Sequence, residues 1–244
     1  MPRFFVDGPV TEVATVTGAD AFHIARSLRM AKGEEVVVCD SLGRAFRCVL
    51  TEISDTCVTA RVRTPLETDT ECPFDIHLYM AMPKGDKLET VVQKAVELGA
   101  LSVTPFVSSR CVKLPKADRV DRMTERLERI AREAAGQCGR SRLPRVCPPL
   151  SYAEACRLAA EADLALFCYE GESTLPIRSV LEAHKAPRTV AVMVGCEGGF
   201  SQKEAQAAAE AGMIPTGLGT RILRCETAPT VALSALLYAY EWAK

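Results

Sequence analysis

The feature that most restricts the fold of this chain is a series of short apolar runs without polar alternation. From Phe74 onward these runs alternate with helical segments. A strand that is apolar at every position is covered on both faces, as in a parallel sheet flanked by helices. The strand segments are 76–82, 103–107, 164–169, 190–194 and 214–218, and the helical segments are 88–98, 120–135 and 229–242. The sequence therefore predicts an α/β domain over residues 74–244.

Two helix starts in this domain carry capping signals. Asp86 precedes Glu89, and Ser201 precedes Glu204, each with the spacing of a capping box. Such a box satisfies two backbone donors at a helix N-terminus. We therefore expect helices to begin directly after Asp86 and Ser201.

The first 70 residues show a different pattern. Segments 36–39, 45–50 and 57–62 are rich in β-forming residues and are separated by turn residues, which indicates a small β-barrel domain over residues 1–70. One short helix over 20–30 is expected to interrupt it. The prolines and acidic residues of 64–73 predict a linker to the second domain.

Charge is unevenly distributed along a nearly neutral chain. The formal net charge is -1, which argues against a general polyanion binder. Residues 110–145 nevertheless hold 11 Lys and Arg against 5 Asp and Glu, whereas residues 1–72 hold 8 against 11. Such a basic segment indicates a directed anionic partner. The alternative is a solvated helix face, since Glu125 and Arg129, and Glu128 and Arg132, have the spacing of intrahelical ion pairs.

The cysteines and histidines exclude an obvious metal site. No two of the 11 cysteines form a C-x-x-C pair, and with only 3 histidines no zinc spacing can be assembled. The cysteines stand among apolar residues, which favours buried, reduced thiols and a reducing compartment. The N-terminus has no signal-peptide pattern, and no apolar run reaches membrane-spanning length. A cytoplasmic protein without a membrane segment is expected.

Two loops near the C-terminus are the best candidates for chemistry. Residues 195–201, the glycine loop, follow a predicted strand and hold three glycines, so their backbone can approach a ligand closely. Their spacing is neither that of a dinucleotide fingerprint nor that of a P-loop. The alternative is a tight strand-to-helix turn without a ligand.

Residues 218–228, the arginine loop, follow the next strand and run into the C-terminal helix. Leu218, Ile222 and Leu223 can wall an apolar slot for an adenine. Arg224 and Glu226 place two opposite charges beside it, although a surface ion pair of little energetic value explains them equally well when they are taken alone.

Together these segments resemble the bacterial 16S ribosomal RNA uridine methyltransferases of the RsmE type, within the SPOUT superfamily. The resemblance covers nearly the whole chain and five segments in order. Those segments are Pro2–Val6 with 23–33, 84–99, Arg110 with 129–140, the glycine loop and the arginine loop. The family usually has proline at the position of Cys196, which predicts a slightly looser cofactor loop, and it often has Glu and Ser at Gly136 and Cys138.

The resemblance implies a fold and an activity that the residue pattern could not supply. The expected fold is a SPOUT-type parallel sheet with a C-terminal trefoil knot, preceded by a small PUA-like RNA-binding barrel. The expected reaction is S-adenosylmethionine-dependent methylation of the N3 nitrogen of a uridine in 16S rRNA. A homodimer acting on 16S rRNA or the small ribosomal subunit, without a metal, is implied as well.

The resemblance also assigns roles to individual residues. The catalytic candidates are Arg224, which would stabilise the developing uridine anion, and Glu226 or Glu197, which would accept the proton or orient Arg224. The expected cofactor-binding residues are Val194, Gly195, Gly198, Gly199, Leu218, Gly219, Ile222, Leu223, Thr227 and Ala228. The expected RNA-binding residues are Arg3, Arg29, Arg110, Arg129 and Arg140.

Two rival functions stay open at this point. One is a related SPOUT enzyme that methylates another RNA atom, such as a ribose 2′-hydroxyl or a guanine ring nitrogen. The other is a non-catalytic RNA-binding protein that has lost the cofactor. Nucleoside mass spectrometry separates the first from the predicted activity, and a cofactor-binding measurement separates the second.

Overall fold

A computed structural model describes residues 1–112, 117–171 and 174–242, apart from the side chain of Ala117. Lys113 and Lys116, which count towards the basic segment, lie outside the described residues. The chain divides into two compact units. The N-terminal unit comprises Met1–Glu71 and Arg132–Leu143, and the C-terminal unit comprises Cys72–Ala131 and Pro144–Lys244.

The N-terminal unit is built on one curled five-stranded sheet. Its strands are β1 Arg3–Phe5, β2 Val13–Thr17, β3 Glu35–Cys39, β4 Ala45–Ile53 and β5 Cys57–Leu66, in the order β1-β3-β4-β5-β2. β1 runs parallel to β3, and the other neighbours are antiparallel. Phe4, Val16, Val38, Leu50 and Val58, one from each strand, share a single buried core. The sheet is thus an open half-barrel where the sequence predicted a small barrel.

Two local predictions for this unit need correction. Residues 64–66, predicted as linker, continue β5, and Pro65 lies opposite Phe46 of β4. β2 pairs only with residues 57–61 of β5, so Pro65 lies in a part of β5 that pairs with β4 alone. A proline is tolerated there, because no second strand needs the N–H that it lacks. The predicted helix over 20–30 is a short helix α1, Gly18–Phe22, that continues as a wider π-helical turn over His23–Ser27.

The C-terminal unit confirms the predicted parallel sheet. Its strands are β6 Asp75–Ala81, β7 Ser102–Val107, β8 Arg145–Val146, β9 Leu150–Ser151, β10 Leu164–Cys168, β11 Leu175–Pro176, β12 Thr189–Val194 and β13 Ile214–Gly217. The order is β11-β13-β10-β12-β6-β7-β8, with β9 also beside β7, and each of these neighbouring strands runs parallel to the next. The five predicted strands are all present. The sequence missed β8, β9 and β11 because two residues are too few to form a pattern.

The helices of this unit match the strong sequence signals. They are α2 Lys87–Glu97, α3 Ala117–Cys138, α4 Tyr152–Ala159, α5 Ile177–Ala183, α6 Gln202–Glu210 and α7 Thr227–Leu237, which continues as a π-helical turn over Tyr238–Trp242. α3 begins in the C-terminal unit and ends in the N-terminal unit. α4 and α5 were missed, although α4 begins with a capping box formed by Ser151 and Glu154.

The two predicted capping boxes have different outcomes. At α6, the Ser201 hydroxyl accepts from the Glu204 N–H at 3.3 Å, and the Glu204 carboxylate accepts from the Ser201 N–H at 2.8 Å. At α2 the predicted start is confirmed, since the helix begins at Lys87, but the predicted box is wrong, because the Asp86 side chain makes no capping hydrogen bond among the described residues. The Glu89 N–H instead donates to the backbone carbonyl of Asp86 at 3.1 Å.

Candidate active site

A cavity of about 740 Å³ opens at the carboxyl ends of three neighbouring strands, β10, β12 and β13. Open parallel sheets place ligand sites at this edge, and the volume lies within the usual range for small-molecule pockets. Predicted residues that line it are Arg110, Val194, Gly195, Glu197, Gly198, Gly199, Leu218, Gly219, Ile222, Leu223, Arg224 and Ala228. The structure therefore brings the glycine loop and the arginine loop together at one pocket.

A third loop, which the sequence analysis did not identify, completes the lining. Cys168 ends β10, and Tyr169, Glu170, Gly171 and Thr174 follow it; all five line the same cavity. The signal that could have identified them was the strand segment 164–169 itself, because the rule applied to the other two loops holds equally for the residues after this strand.

The glycine loop is held closed by its own backbone and by its neighbours. The Gly199 N–H donates to the Cys196 carbonyl at 2.9 Å, and Gly199 has a left-handed φ of 64°. A Cβ placed on Gly195 would lie 3.0 Å from the Gly199 Cα, so only glycine fits there without a shift. These contacts close the loop around Cys196, where the resemblance predicted slight loosening.

Phe200 anchors the C-terminal end of this loop. Its ring is buried and packs against Phe167 of β10, with 4.3 Å between ring centroids, and lies parallel to the ring of Phe106 of β7 at 6.2 Å. Aromatic pairs at such distances stabilise a core beyond the area they bury. The end of the glycine loop is thus fixed to two strands of the sheet.

Glu204 ties the glycine loop to the loop after β7. Its carboxylate accepts from the Ser109 N–H at 2.7 Å and from the Ser109 hydroxyl at 2.8 Å, besides its bonds to Ser201. Burial alone would raise the pKa of Glu204, but the hydrogen bonds from Ser109 and Ser201 together outweigh it and lower the pKa. The residue after Ser109 also contacts the glycine loop, since the Arg110 guanidinium donates to the Gly198 carbonyl at 2.7 Å.

The arginine loop has far fewer anchors. Ile222 is 84% exposed, and Arg221 and Arg224 are exposed as well. Within the described residues, the Arg224 guanidinium has neither a hydrogen bond nor an ion pair. The backbone carbonyl of Arg224 accepts from the Thr227 N–H at 2.8 Å, and this bond shapes the turn into α7. The arginine is therefore available to a ligand in the pocket.

Glu197 and Glu226 meet at one cation, Lys87, the first residue of α2. The Lys87 Nζ lies 2.9 Å from Glu197 Oε1 and 3.4 Å from Glu226 Oε2. The Glu197 carboxylate also accepts from the Lys84 N–H at 3.1 Å. Neither carboxylate forms an ion pair with Arg224. The structure therefore does not show Glu197 or Glu226 orienting Arg224, which was one of the two roles expected of them.

These contacts keep both carboxylates ionised. Burial alone would raise the pKa of Glu197, but the hydrogen bonds from Lys87 and Lys84 outweigh it and lower the pKa. For Glu226, a hydrogen bond from its own backbone N–H is the main cause of a lowered pKa, and Cys225 and Lys87 add to it. Glu226 and Thr227 stand beside the residues that line the cavity.

The predicted RNA-binding arginines fall into two groups. Arg29, Arg110 and Arg129 are exposed, whereas Arg3 is half-buried and donates to the Arg140 carbonyl at 3.1 Å. Arg140 is only 3% exposed, and its guanidinium donates to the Glu71 carboxylate at 2.7 Å. A phosphate could reach Arg140 only by breaking this buried pair. We therefore correct its predicted role to a structural one.

Among the described residues, α3 does not form the intrahelical ion pairs on which the alternative of a solvated face depended. The Arg132 guanidinium donates to the Phe5 carbonyl at 2.9 Å and pairs with Asp20 at 3.3 Å, not with Glu128. Arg126 pairs with Glu89 of α2 at 2.9 Å. Among the described residues Arg129 makes no ion pair, so its charge is free to meet an anionic partner.

Comparison with known proteins identifies the family. A family model for an RNA methyltransferase domain matches residues 70–237, and one for an RNA methyltransferase PUA domain matches residues 16–62. The ribosomal RNA small subunit methyltransferase E of Bacillus subtilis is 32% identical over 99% of this chain and 98% of its own length. The chain belongs to the ribosomal RNA small subunit methyltransferase E family. The RsmE-type resemblance is therefore confirmed.

Further relatives agree with this assignment. The methyltransferase E of a Synechocystis strain is 32% identical over 93% of this chain and 73% of its own length. A crystal structure of the methyltransferase E from Neisseria gonorrhoeae, bound to S-adenosyl methionine, matches with a TM-score of 0.87 and 30% identity over 98% of each chain. This whole-chain similarity covers both units described above.

Two other features are absent from the described residues. No helix there is long and apolar enough to span a bilayer. No group of three or more His, Cys, Asp or Glu side chains in the described ranges is arranged to hold a metal ion. The expectation of buried thiols is met by Cys39, Cys48, Cys156, Cys196 and Cys225, whereas Cys57, Cys72, Cys111, Cys138, Cys147 and Cys168 are half-buried.

Proposed function

We propose that this protein methylates the N3 nitrogen of a uridine in small-subunit ribosomal RNA, with S-adenosylmethionine as methyl donor. The observation that carries the proposal is the convergence of three loops on one cavity, with a free arginine at its edge. The S-adenosyl methionine bound in the Neisseria gonorrhoeae relative supports the choice of donor.

The cavity suits this donor in shape and chemistry. A Cβ on Gly195 would meet Gly199 and Phe200, so this glycine permits the closed loop that forms one wall of the cavity. Leu218 and Leu223 offer apolar walls for an adenine, and the backbone around Gly195, Gly198 and Gly219 offers hydrogen-bonding groups. When bound, the donor supplies a methyl group already activated by its sulfonium, so the protein has to position and desolvate the reacting atoms.

Arg224 is the proposed catalytic residue. A uridine N3–H is a weak acid that must lose its proton before N3 can attack, and the resulting negative charge spreads to the two neighbouring carbonyl oxygens. A fixed guanidinium at that position stabilises this charge as it develops. Arg224 is exposed at the cavity and has no partner among the described residues, so it can turn towards a base that has been flipped out of its helix.

Glu197 and Glu226 are the proposed proton acceptors. Both stand ionised beside the cavity, and both have lowered pKa values for the reasons given above. A carboxylate of this kind is a weak base, so proton transfer from N3 is unfavourable unless the uridine anion is stabilised at the same time. The two steps therefore depend on each other, and Arg224 carries the larger share of the catalysis.

The proposed RNA-binding residues are Arg3, Arg29, Arg110 and Arg129. Arginines of this kind contact phosphates and position the RNA without reading its sequence. The proposal retains the division into an RNA-binding domain over 1–70 and a methyltransferase domain over 74–244, with residues 132–143 joining the first. An enzyme acting on 16S rRNA or the small subunit works in the cytoplasm, and the buried thiols agree with that.

The SPOUT-type knot belongs to the proposal too. β13 pairs between β10 and β11, and the loops before α6 and α7 line one cavity. This arrangement suits a C-terminal segment that passes through an earlier loop. Tracing the backbone through experimental electron density, from β10 to the end of α7, tests it.

A homodimer is proposed as the working form. Tyr238 and Trp242, which follow α7, are 69% and 55% exposed, and large exposed aromatic side chains are typical of interfaces. Sedimentation equilibrium of the full chain tests this, and a monomeric mass at micromolar concentration contradicts it.

The decisive experiment is methyl transfer to small ribosomal subunits from a strain that lacks the modification. With radiolabelled donor we expect label in the 16S rRNA, and nucleoside mass spectrometry should identify 3-methyluridine. A different methylated nucleoside would favour a related enzyme acting on another RNA atom. If calorimetry detects no donor binding, the protein is a non-catalytic RNA-binding member of its family.

A further inference from the structure

Lys87 joins three separate segments at the edge of the cavity. Its ammonium contacts Glu197 of the glycine loop at 2.9 Å, Glu226 of the arginine loop at 3.4 Å, and Cys225 Sγ at 4.0 Å. Lys87 itself begins α2, directly after the loop whose Lys84 N–H also holds Glu197. One side chain therefore connects the loops after β6, β12 and β13.

The position of this lysine is unfavourable for the helix it begins. A helix N-terminus carries partial positive charge, which disfavours a cation in the first turn. Lys94, in the last turn of the same helix, has the favourable placement and pairs with Glu97 at 2.8 Å. Lys87 therefore contributes little to the stability of α2, and its value lies in the two carboxylates that it contacts.

The two carboxylates in turn need a cation between them. Without Lys87, Glu197 and Glu226 would face each other across the cavity edge with like charges, and repulsion favours protonation of one of them. Each carboxylate belongs to a different cofactor loop, so the same repulsion would push the two loops apart. In the structure these loops form adjacent walls of a single cavity.

We propose that Lys87 is a positioning residue for the methyl transfer. By binding Glu197 and Glu226 at once, it holds the glycine loop and the arginine loop at the separation that binds the methyl donor. Its positive charge also offsets the repulsion between the two carboxylates. This inference rests on the proposed function. It adds Lys87, which entered the sequence comparison only as part of the matched segment 84–99, to the residues that serve the reaction.

The test compares Lys87→Met with Lys87→Arg, which keeps the charge, and with Lys94→Met as a matched control on the same helix. Calorimetry with S-adenosylmethionine should show binding that is weaker by about tenfold or more in Lys87→Met, as expected for loss of charge-assisted hydrogen bonds. Lys87→Arg should recover most of the affinity, and Lys94→Met should bind like the wild type. In steady-state assays the KM for the donor should rise more than kcat falls.

The pH dependence provides a readout that a purely structural residue would not move. The lowered pKa values of Glu197 and Glu226 depend partly on Lys87, so the contacts persist at neutral pH and are lost as the pH falls through those values. In Lys87→Met both pKa values should rise, and donor binding should begin to fail at a higher pH. Carboxyl NMR titration of the full chain without donor measures the same shift directly.

Two outcomes overturn the inference without touching the proposed function. The first is wild-type affinity for the donor in Lys87→Met, and the second is unchanged carboxyl titration in that variant. If the wild type itself binds no donor, the proposed function fails, and the NMR titration still decides whether Lys87 controls the two carboxylates. Should Lys87→Met unfold, Lys87→Gln provides the same comparison with a polar side chain.

Discussion

The glycine loop and the arginine loop reach the same cavity but are built in opposite ways. The glycine loop is held by an internal turn, by the buried ring of Phe200 and by the Ser201–Glu204–Ser109 hydrogen bonds. The arginine loop presents exposed side chains, with Ile222 and Arg224 free of such anchors. One loop thus supplies a rigid wall that defines where a ligand lies, and the other supplies groups that can adjust to it.

This difference indicates a division of labour. A binding surface has to be preorganised, because ordering it during binding would cost affinity. A group that meets two partners in succession, a donor and an RNA base, gains from freedom in the unbound state. The following predictions test whether donor binding depends mainly on the glycine loop and the transfer step mainly on Arg224 of the arginine loop.

The largest effect is expected from Arg224→Ala. Removing the guanidinium should lower kcat by about 10²–10³-fold, the usual cost of losing one donor to a developing anion. Donor affinity and stability should stay near wild type, because Arg224 has no partner within the described residues. Single-turnover methylation and calorimetry measure the two quantities. Arg221→Ala, an exposed neighbour in the same loop, is the control, and a normal rate in Arg224→Ala would remove that residue from the mechanism.

Gly195→Ala should show the reverse pattern. Its added Cβ would meet Gly199 at 3.0 Å and the Phe200 ring at 3.2 Å, so the rigid wall must shift. Overpacking of this kind costs about 1–3 kcal/mol, which corresponds to donor binding weaker by about 5–150-fold. At saturating donor, kcat should largely recover. Gly136→Ala is a suitable control, since its Cβ would make an ordinary contact at 3.5 Å; equal loss in both variants would contradict the comparison.

The capping boxes of α6 and α4 provide a matched pair with which a smaller effect on the glycine loop can be measured. Ser201→Ala and Ser151→Ala remove equivalent caps from α6 and α4, and each should lower the free energy of unfolding by about 0.5–2 kcal/mol. Only Ser201 holds the glycine loop, so only Ser201→Ala should also weaken donor binding. Urea denaturation and calorimetry on both variants measure this. Equal donor affinity in the two variants would show that the Ser201 cap does not support the glycine loop as a wall of the cavity.

Acid should act on the glycine loop through Glu204. Its folded pKa lies below the ordinary value of 4.5, so its stabilising contribution is complete above that pH and is lost as the pH falls through the folded value. The wild type should therefore lose more stability than Glu204→Gln between about pH 5 and pH 3. Parallel acid-unfolding curves for the two proteins would contradict this role.

The smallest effect is expected from Ile222→Ala. A side chain that is 84% exposed contributes little to folding, so the free energy of unfolding should change by less than about 0.5 kcal/mol. The sequence analysis placed Ile222 in the adenine slot; if only its backbone serves there, donor affinity should fall by less than about threefold, equivalent to about 0.65 kcal/mol. A large loss of affinity would show that the arginine loop closes onto the donor and would weaken the proposed division of labour.

Local sequence patterns predicted the elements that depend on burial. Four of the five predicted strands of the C-terminal unit, β6, β7, β10 and β12, were recognisable because they are buried over most of their length, which favours a nearly uninterrupted apolar run. The helix start at Ser201 was correct because a capping box acts over four residues. The helix start after Asp86 was correct as well, although its side-chain cap is not formed among the described residues and the Glu89 N–H donates to the Asp86 carbonyl instead.

The candidate site was predicted where it depends on consecutive residues and missed where distant segments meet. The glycine and arginine loops were found, whereas the third loop after β10 and Lys87 were not. Lys87 and Glu197 are separated by 110 positions, and no local pattern links them. Arg140 illustrates the converse error, because a basic residue in a basic segment proved to be buried against Glu71.

The sequence by itself determined the class of fold, the family and the two loops that carry its motifs. These depend on hydrophobic burial and on backbone conformation, which neighbouring residues specify directly. Only the tertiary structure decided which charged side chains form ion pairs within the protein and which stay available to a ligand. Ion pairing depends on distances across the folded chain, and folding sets those distances after the local elements have formed. Arg224 stays free and Lys87 lies between two carboxylates for that reason.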